Sequence, residues 1–213
     1  MPDRYPGYDV SAKRHTPSWN DSTRRAIDHR LSLPRTPNFF TEGEWLTLSA
    51  ICDRIVPQPP NRPPIPVAAM VDHKLAENML DGYRNDKLPP LREAWKRGLH
   101  AVEVEAQTRH GGRFHEINAA EQNALLKQMQ EGELDSPAWG DMPCKLFFKE
   151  RMVHDIVSAY YAHPTSWNEM GFGGPASPRG YVRMGFDKRD SWEAVEAKPG
   201  REEEARRKNR HVA

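Results

Sequence analysis

Between about residues 38 and 163, apolar side chains recur at helical intervals. Trp45, Leu48, Ile51, Cys52 and Ile55 step by three, three, one and three, which places them on one helical face. Ahead of them Thr41 and Glu44 have the spacing of a capping box, each side chain serving the other's backbone amide. Pro57 ends this first helix. Six prolines between Pro57 and Pro66 predict a stiff, extended connector and no strand. Pro66 suits the first turn of a second helix, with Val67, Met70, Val71, Leu75 and Met79 on one side. Leu88-Pro89-Pro90 opens a third, carrying Leu91, Trp95, Leu99, Val102 and Ala106 and ending at Gly111-Gly112. Asn118 and Glu121 repeat the capping box before a fourth helix, whose face is Leu125, Leu126 and Met129 and whose end is Gly132. Pro143 opens a fifth, with Leu146, Phe147, Phe148, Val153, Ile156, Val157, Tyr160 and Tyr161; His163-Pro164 ends it. This is the most apolar helix, so it is expected at the centre of a bundle. Strict alternation bounded by turn dipeptides is missing, so no strands are predicted. The expected fold is all-α, a single bundle of about five main helices.

The two ends lack that pattern. Residues 1–37 hold five prolines and a net charge of +3, with few apolar residues. Such a segment does not bury enough apolar surface to offset its ordering entropy, so it is expected as an arm, disordered or laid on a partner. Its aromatics Tyr5, Tyr8 and Trp19 are of the type that anchors interfaces. The other end, 201–213, mixes Glu202–Glu204 with Arg206, Arg207, Lys208 and Arg210, the pattern of a solvated helix or frayed tail. The expected organisation is an arm (1–37), a helical domain (38–182) and a charged tail (183–213). After the bundle, at the end of the helical domain, residues 165–181 are rich in glycine, alanine and proline and carry Trp167, Phe172 and Tyr181. Glycine and proline fix the loop's shape and the aromatics supply contact area. This loop is therefore expected to be the main docking surface, and the arm to serve partner binding more than folding.

Composition narrows the function. The 213 residues carry 31 Lys and Arg against 30 Asp and Glu. That balance excludes a global polyanion-binding surface, and no nucleic-acid partner is expected. Mean hydropathy is −0.85, so the core must be local. No apolar run approaches the ~20 residues of a membrane span. Arg24-Arg25 invites a twin-arginine export reading, but the charged residues that follow stand where an apolar stretch is required.

Catalytic signatures fail to appear. Gly171-Phe172-Gly173-Gly174-Pro175 neither follows a predicted strand nor opens a predicted helix, so it is no dinucleotide fingerprint. None of the nine histidines stands in a metal-ligand spacing. His154-Asp155 and Asp72-His73 are sequence neighbours that diverge by about 100° on a helix, so neither forms a ready acid–base dyad. Cys52 and Cys144 read as two buried free thiols, with a bridge, within the chain or to a partner, as the alternative. No catalytic, cofactor-binding or metal-binding residue is assigned.

Four pieces carry a family resemblance. One is Phe39-Phe40-Thr41 with Glu44, running into Leu48, Ile51-Cys52-Asp53-Arg54-Ile55-Val56-Pro57. The proline connector followed by Val67-Ala68-Ala69-Met70-Val71-Asp72 is the second, and Gly111-Gly112 with Phe114 before Glu121-Gln122 the third. The most specific is Phe147-Phe148 with Tyr160-Tyr161, His163-Pro164, Trp167-Asn168-Glu169-Met170-Gly171-Phe172-Gly173-Gly174-Pro175 and Gly180-Tyr181. In this order the chain resembles the gluconate 2-dehydrogenase subunit 3 family, the small subunits of flavin-dependent sugar dehydrogenases.

The resemblance implies a helical, non-catalytic accessory subunit. It would bind and stabilise, or mature, a large catalytic subunit of the glucose-methanol-choline family that holds the FAD, with a cytochrome c as a further electron-accepting partner. No cofactor is expected in this chain. Many such proteins carry a twin-arginine signal, which is not read here. The expected location is therefore cytoplasmic, or periplasmic through export with a signal-bearing partner. The alternatives are a transient assembly chaperone and an autonomous metal-dependent enzyme.

Overall fold

The computed structural model describes residues 3–181, 185, 186 and 188–212. Its helices are α1 (Asp21–Leu31), α2 (Glu42–Ile55), α3 (Val67–Ala76), α4 (Leu91–His110), α5 (Ala119–Glu131), α6 (Cys144–Phe147), α7 (His154–Tyr161), α8 (Pro164–Met170) and α9 (Glu202–Asn209). A π-helical segment, Phe148–Val153, joins α6 to α7, and short 3-10 turns lie at Val10–His15 and Pro137–Trp139. The fold is all-α, and the five predicted helices are α2, α3, α4, α5 and the α6-π-α7 run. Both capping boxes form: Thr41 with Glu44 and Asn118 with Glu121. Among the described residues no helix is long and apolar enough to cross a membrane.

The chain divides into two compact units. One is Leu33–Tyr160; the other joins Met1–Ser32 to Tyr161–Ala213. This differs from the expected arm, domain and tail; the expected boundary at 182–183 falls outside the described residues.

In the Leu33–Tyr160 unit the hub is α4, which packs on α2, α5, α6 and the π segment. Trp95, Leu99, Val102 and Ala106 on α4 are fully buried with Leu48, Ile51, Leu125, Met129, Phe147, Met152 and Ile156. The fifth predicted helix is therefore not the centre: Leu146, Phe148, Val153 and Val157 are half-buried and Tyr161 is exposed. Gly98 explains how α4 can sit so close to its neighbours. A Cβ built there would lie 2.2 Å from the Phe147 ring, and that ring meets Trp95 edge-on at 5.6 Å. Asp72, 2% exposed, accepts the amides of Asn38, Phe39 and Phe40 at 2.8–3.2 Å. It thereby ties the entry to α2 onto α3. Cys52 and Cys144 are both buried free thiols, and burial pushes the Cys52 thiol up.

The second unit corrects the arm. Tyr8, Val10, Trp19, Ile27, Trp167 and Val212 form one buried cluster, with Tyr5 and Ala194 packed against it. No single segment has enough apolar surface for a core, but three segments far apart in sequence supply one together. Polar clamps hold them. Val10 N–H donates to Asn168 Oδ1 at 2.8 Å; Asn209 Nδ2 donates to the carbonyls of Pro6 and Val195. Ala197 N–H donates to the Arg4 carbonyl at 2.9 Å. His163-Pro164 also reads differently in place: His163 caps α8 and Pro164 occupies its first turn, where a missing N–H costs nothing.

Candidate functional site

Of the six aromatics singled out for docking, Tyr8, Trp19 and Trp167 are 5%, 2% and 4% exposed. They are core, not surface. The Trp167 indole N–H donates to the Tyr161 carbonyl at 2.6 Å, and the ring meets Phe172 edge-on at 5.8 Å. Tyr5 is partly buried, its ring so close over Gly171 that a Cβ there would lie 2.5 Å away. Gly171, at φ 66°, is the left-handed C-cap of α8, so glycine is required twice over. Phe172 and Tyr181 remain exposed. The 165–181 loop is thus largely the wall of its own unit.

A different segment presents apolar side chains in the Leu33–Tyr160 unit. α3 stops before Asn78, which is left-handed at φ 50°, and the chain turns out through Met79, Leu80 and Tyr83. Leu80 is 67% and Tyr83 73% exposed. Between them Asp81 points inward and accepts Lys74 Nζ at 2.6 Å and Arg151 Nη1 at 2.8 Å. Lys74 also donates to Asp155 at 2.9 Å. The Asp155 side chain is fully buried and further accepts the Trp95 indole N–H at 2.7 Å. Burial works against the Asp81 charge, but the two cations more than offset it and hold its carboxyl below the usual range. They also make the loop's position specific.

His154 Nδ1 lies 3.1 Å from Asp155 Oδ1. The expectation that these neighbours stay apart is therefore corrected: two planar side chains span the divergence of their Cβ directions. Asp81, His154 and Asp155 are the one group among the described residues whose ligand atoms converge as a metal site would need. Lys74 and Arg151 already occupy the carboxylates, and their charges oppose a metal cation. The geometry is that of an ion-pair network.

The unit built from the chain ends encloses a cleft of about 370 Å³. Its wall includes Lys13, Gly173 and Arg179. Lys13 is 0% exposed, and its ammonium has one long hydrogen bond, to the Gly173 carbonyl at 3.4 Å. Burial and then the nearby Arg179 guanidinium lower its pKa to about 8. A folded pKa below the unfolded value means that the unfolded chain holds the proton more tightly between about 8 and the ordinary 10.5. Stability of this unit should therefore rise as pH climbs from about 8 to 9.5, and Lys13→Met should remove that rise. Urea melts of both proteins at pH 7.5, 8.5 and 9.5 test it; parallel pH profiles would show that Lys13 is not desolvated.

Sequence reasoning missed Leu80, Tyr83, Lys13 and Arg179. Met79 continues the helical spacing of Leu75, and the only local signals against a helix are Asn78 and Gly82 flanking the apolar run. Nothing local marks Lys13, because its burial depends on residues more than 150 positions away.

The family model for gluconate 2-dehydrogenase subunit 3 matches residues 42–174, more than half of the chain. No curated protein and no solved structure matches. The match takes in the Met79–Tyr83 loop and α8, and reaches the cleft only at Gly171–Gly174. The chain belongs to the gluconate 2-dehydrogenase subunit 3 family.

Proposed function

We propose that this chain is the non-catalytic small subunit of a flavin-dependent dehydrogenase. It binds a large subunit of the glucose-methanol-choline family and stabilises or matures it. That subunit would take hydride from a carbinol carbon onto its FAD and pass electrons to a further acceptor such as a cytochrome c. The family is named as a subunit of gluconate 2-dehydrogenase, which supports a partner. The observation that carries the reading is the pinned loop. Asp81, clamped between Lys74 and Arg151, fixes Leu80 and Tyr83 in water. Large apolar side chains on a backbone already held in place cost less ordering entropy when a partner covers them.

We place the flavin on the partner subunit, and the shape of the 171–174 loop supports this. The glycines at 171–174 close α8 and do not open a helix. Their amides therefore do not form the helix N-terminus that cradles a dinucleotide's pyrophosphate.

The experiment is co-purification of the native chain followed by mutation. A large chain carrying stoichiometric flavin should co-elute. The pair Leu80→Ala and Tyr83→Ala should weaken that association roughly 30- to 1000-fold, the range of interface hot spots. The melting temperature of the isolated chain should stay unchanged, since both side chains are exposed. Unchanged affinity would overturn the docking assignment. A flavoprotein bound only during flavin insertion would make the chain a chaperone.

A further inference from the structure

The cleft between the chain ends contains two cations that folding alone does not explain. Lys13 is completely buried, and the Nε of Arg179 is a buried donor with no hydrogen-bond acceptor. Among the described residues neither forms an ion pair. Arg179 stacks instead on the Trp192 ring, 4.1 Å from its centroid, and Lys13 lies 5.6 Å from that of Tyr8. A buried, unpaired cation costs stability. Lys13 is such a cation, and the half-buried Arg179 stands on the same wall, an arrangement suited to something that brings negative charge. Gly173 leaves the ammonium its room: a Cβ there would stand 3.1 Å from Nζ.

Asp190 and Glu193 line the same cleft. The Glu193 carboxylate accepts the Asp190 amide at 2.8 Å, which holds it at a turn. With Arg189, whose guanidinium is held by the carbonyls of Asp190 and Glu193, the wall carries three cations against two carboxylates, a net charge that suits a singly charged anion better than a doubly charged one. The volume, about 370 Å³, is at the small end of ligand pockets, and Tyr5 and Trp192 give it flat apolar walls. We propose that this cleft binds a small monocarboxylate, whose oxygens take hydrogen bonds from Lys13 and Arg179. Most of the wall lies outside the family-matched residues 42–174, so the site is a property of this chain's own ends. It does not depend on the subunit reading.

Calorimetric titration of the full chain with glycerate, benzoate, inorganic phosphate and glycerol tests it. At least one of the two carboxylates should bind saturably at one per chain, phosphate more weakly, and glycerol not at all. Arg179→Gln and Lys13→Met should each weaken binding roughly ten- to a hundredfold, the loss of one charge-assisted hydrogen bond. Gly173→Ala, which crowds Nζ while keeping both charges, should weaken it as well and guards against a Lys13→Met protein that fails to fold. No saturable carboxylate binding by the folded wild type would overturn the proposal. So would tighter binding of phosphate, or carboxylate affinity unchanged in Arg179→Gln and Gly173→Ala.

Discussion

Deleting residues 1–32 should dismantle the unit that they share with the C-terminal part of the chain. Tyr8, Val10, Trp19 and Ile27 are four of the six residues in its buried cluster. Without them Trp167 and Val212 face water, Asn168 loses the Val10 amide and Asn209 loses the Pro6 carbonyl. The single change Trp167→Ala should already cost this unit about 3–5 kcal/mol, the usual range for truncating a large buried aromatic. It also removes the indole N–H that caps the Tyr161 carbonyl. Hydrogen exchange read peptide by peptide is the measurement. Protection should be lost in α8 and α9 and retained in α4 and α5. A truncated chain that keeps α8 and α9 protected would show that the arm is dispensable to the fold.

That outcome bears on why the helical middle could be read from sequence and the ends could not. The helices α2 to α5 announce themselves because their apolar residues repeat every three or four positions and their caps lie within the same few residues. Thr41 with Glu44 and Asn118 with Glu121 needed nothing from elsewhere. The end-built unit has no such local signal. Val10 and Val212 are separated by almost the whole chain, yet both are 0–1% exposed. A composition argument applied to residues 1–37 alone cannot register partners at 167 and 212. The same blindness misplaced the docking surface. Trp167 and Phe172 look alike in a glycine-rich loop, but one is 4% and the other 41% exposed. It also hid Gly98, which reads as a weak point in a helix until the Phe147 ring is seen to lie against it. Most motifs of the family resemblance fall within 42–174, the stretch that the family model matches, and they are short runs that need no distant partner to be recognised.

Asp155→Ala should be among the most damaging single changes in the Leu33–Tyr160 unit. The carboxylate is fully buried and joins Trp95 on α4, Lys74 on α3 and His154 on α7. Removing it orphans an indole N–H that is itself completely buried and takes one of two carboxylates from Lys74. Breaking a buried charge network from one side costs about 3–5 kcal/mol. Asp155→Asn retains the shape and one acceptor, so it should cost less. A urea melt of this unit would show a midpoint shift of that order with the slope unchanged; a loss below about 1 kcal/mol would mean that Lys74 and Trp95 find other partners. The two kinds of variant separate stability from docking. Leu80→Ala leaves the network intact and should change association alone. Asp155→Ala loosens Lys74, hence Asp81, hence the fixed display of Leu80 and Tyr83, and should weaken both. Large-subunit affinity that survives Asp155→Ala in a still-folded chain would place docking elsewhere than on the pinned loop.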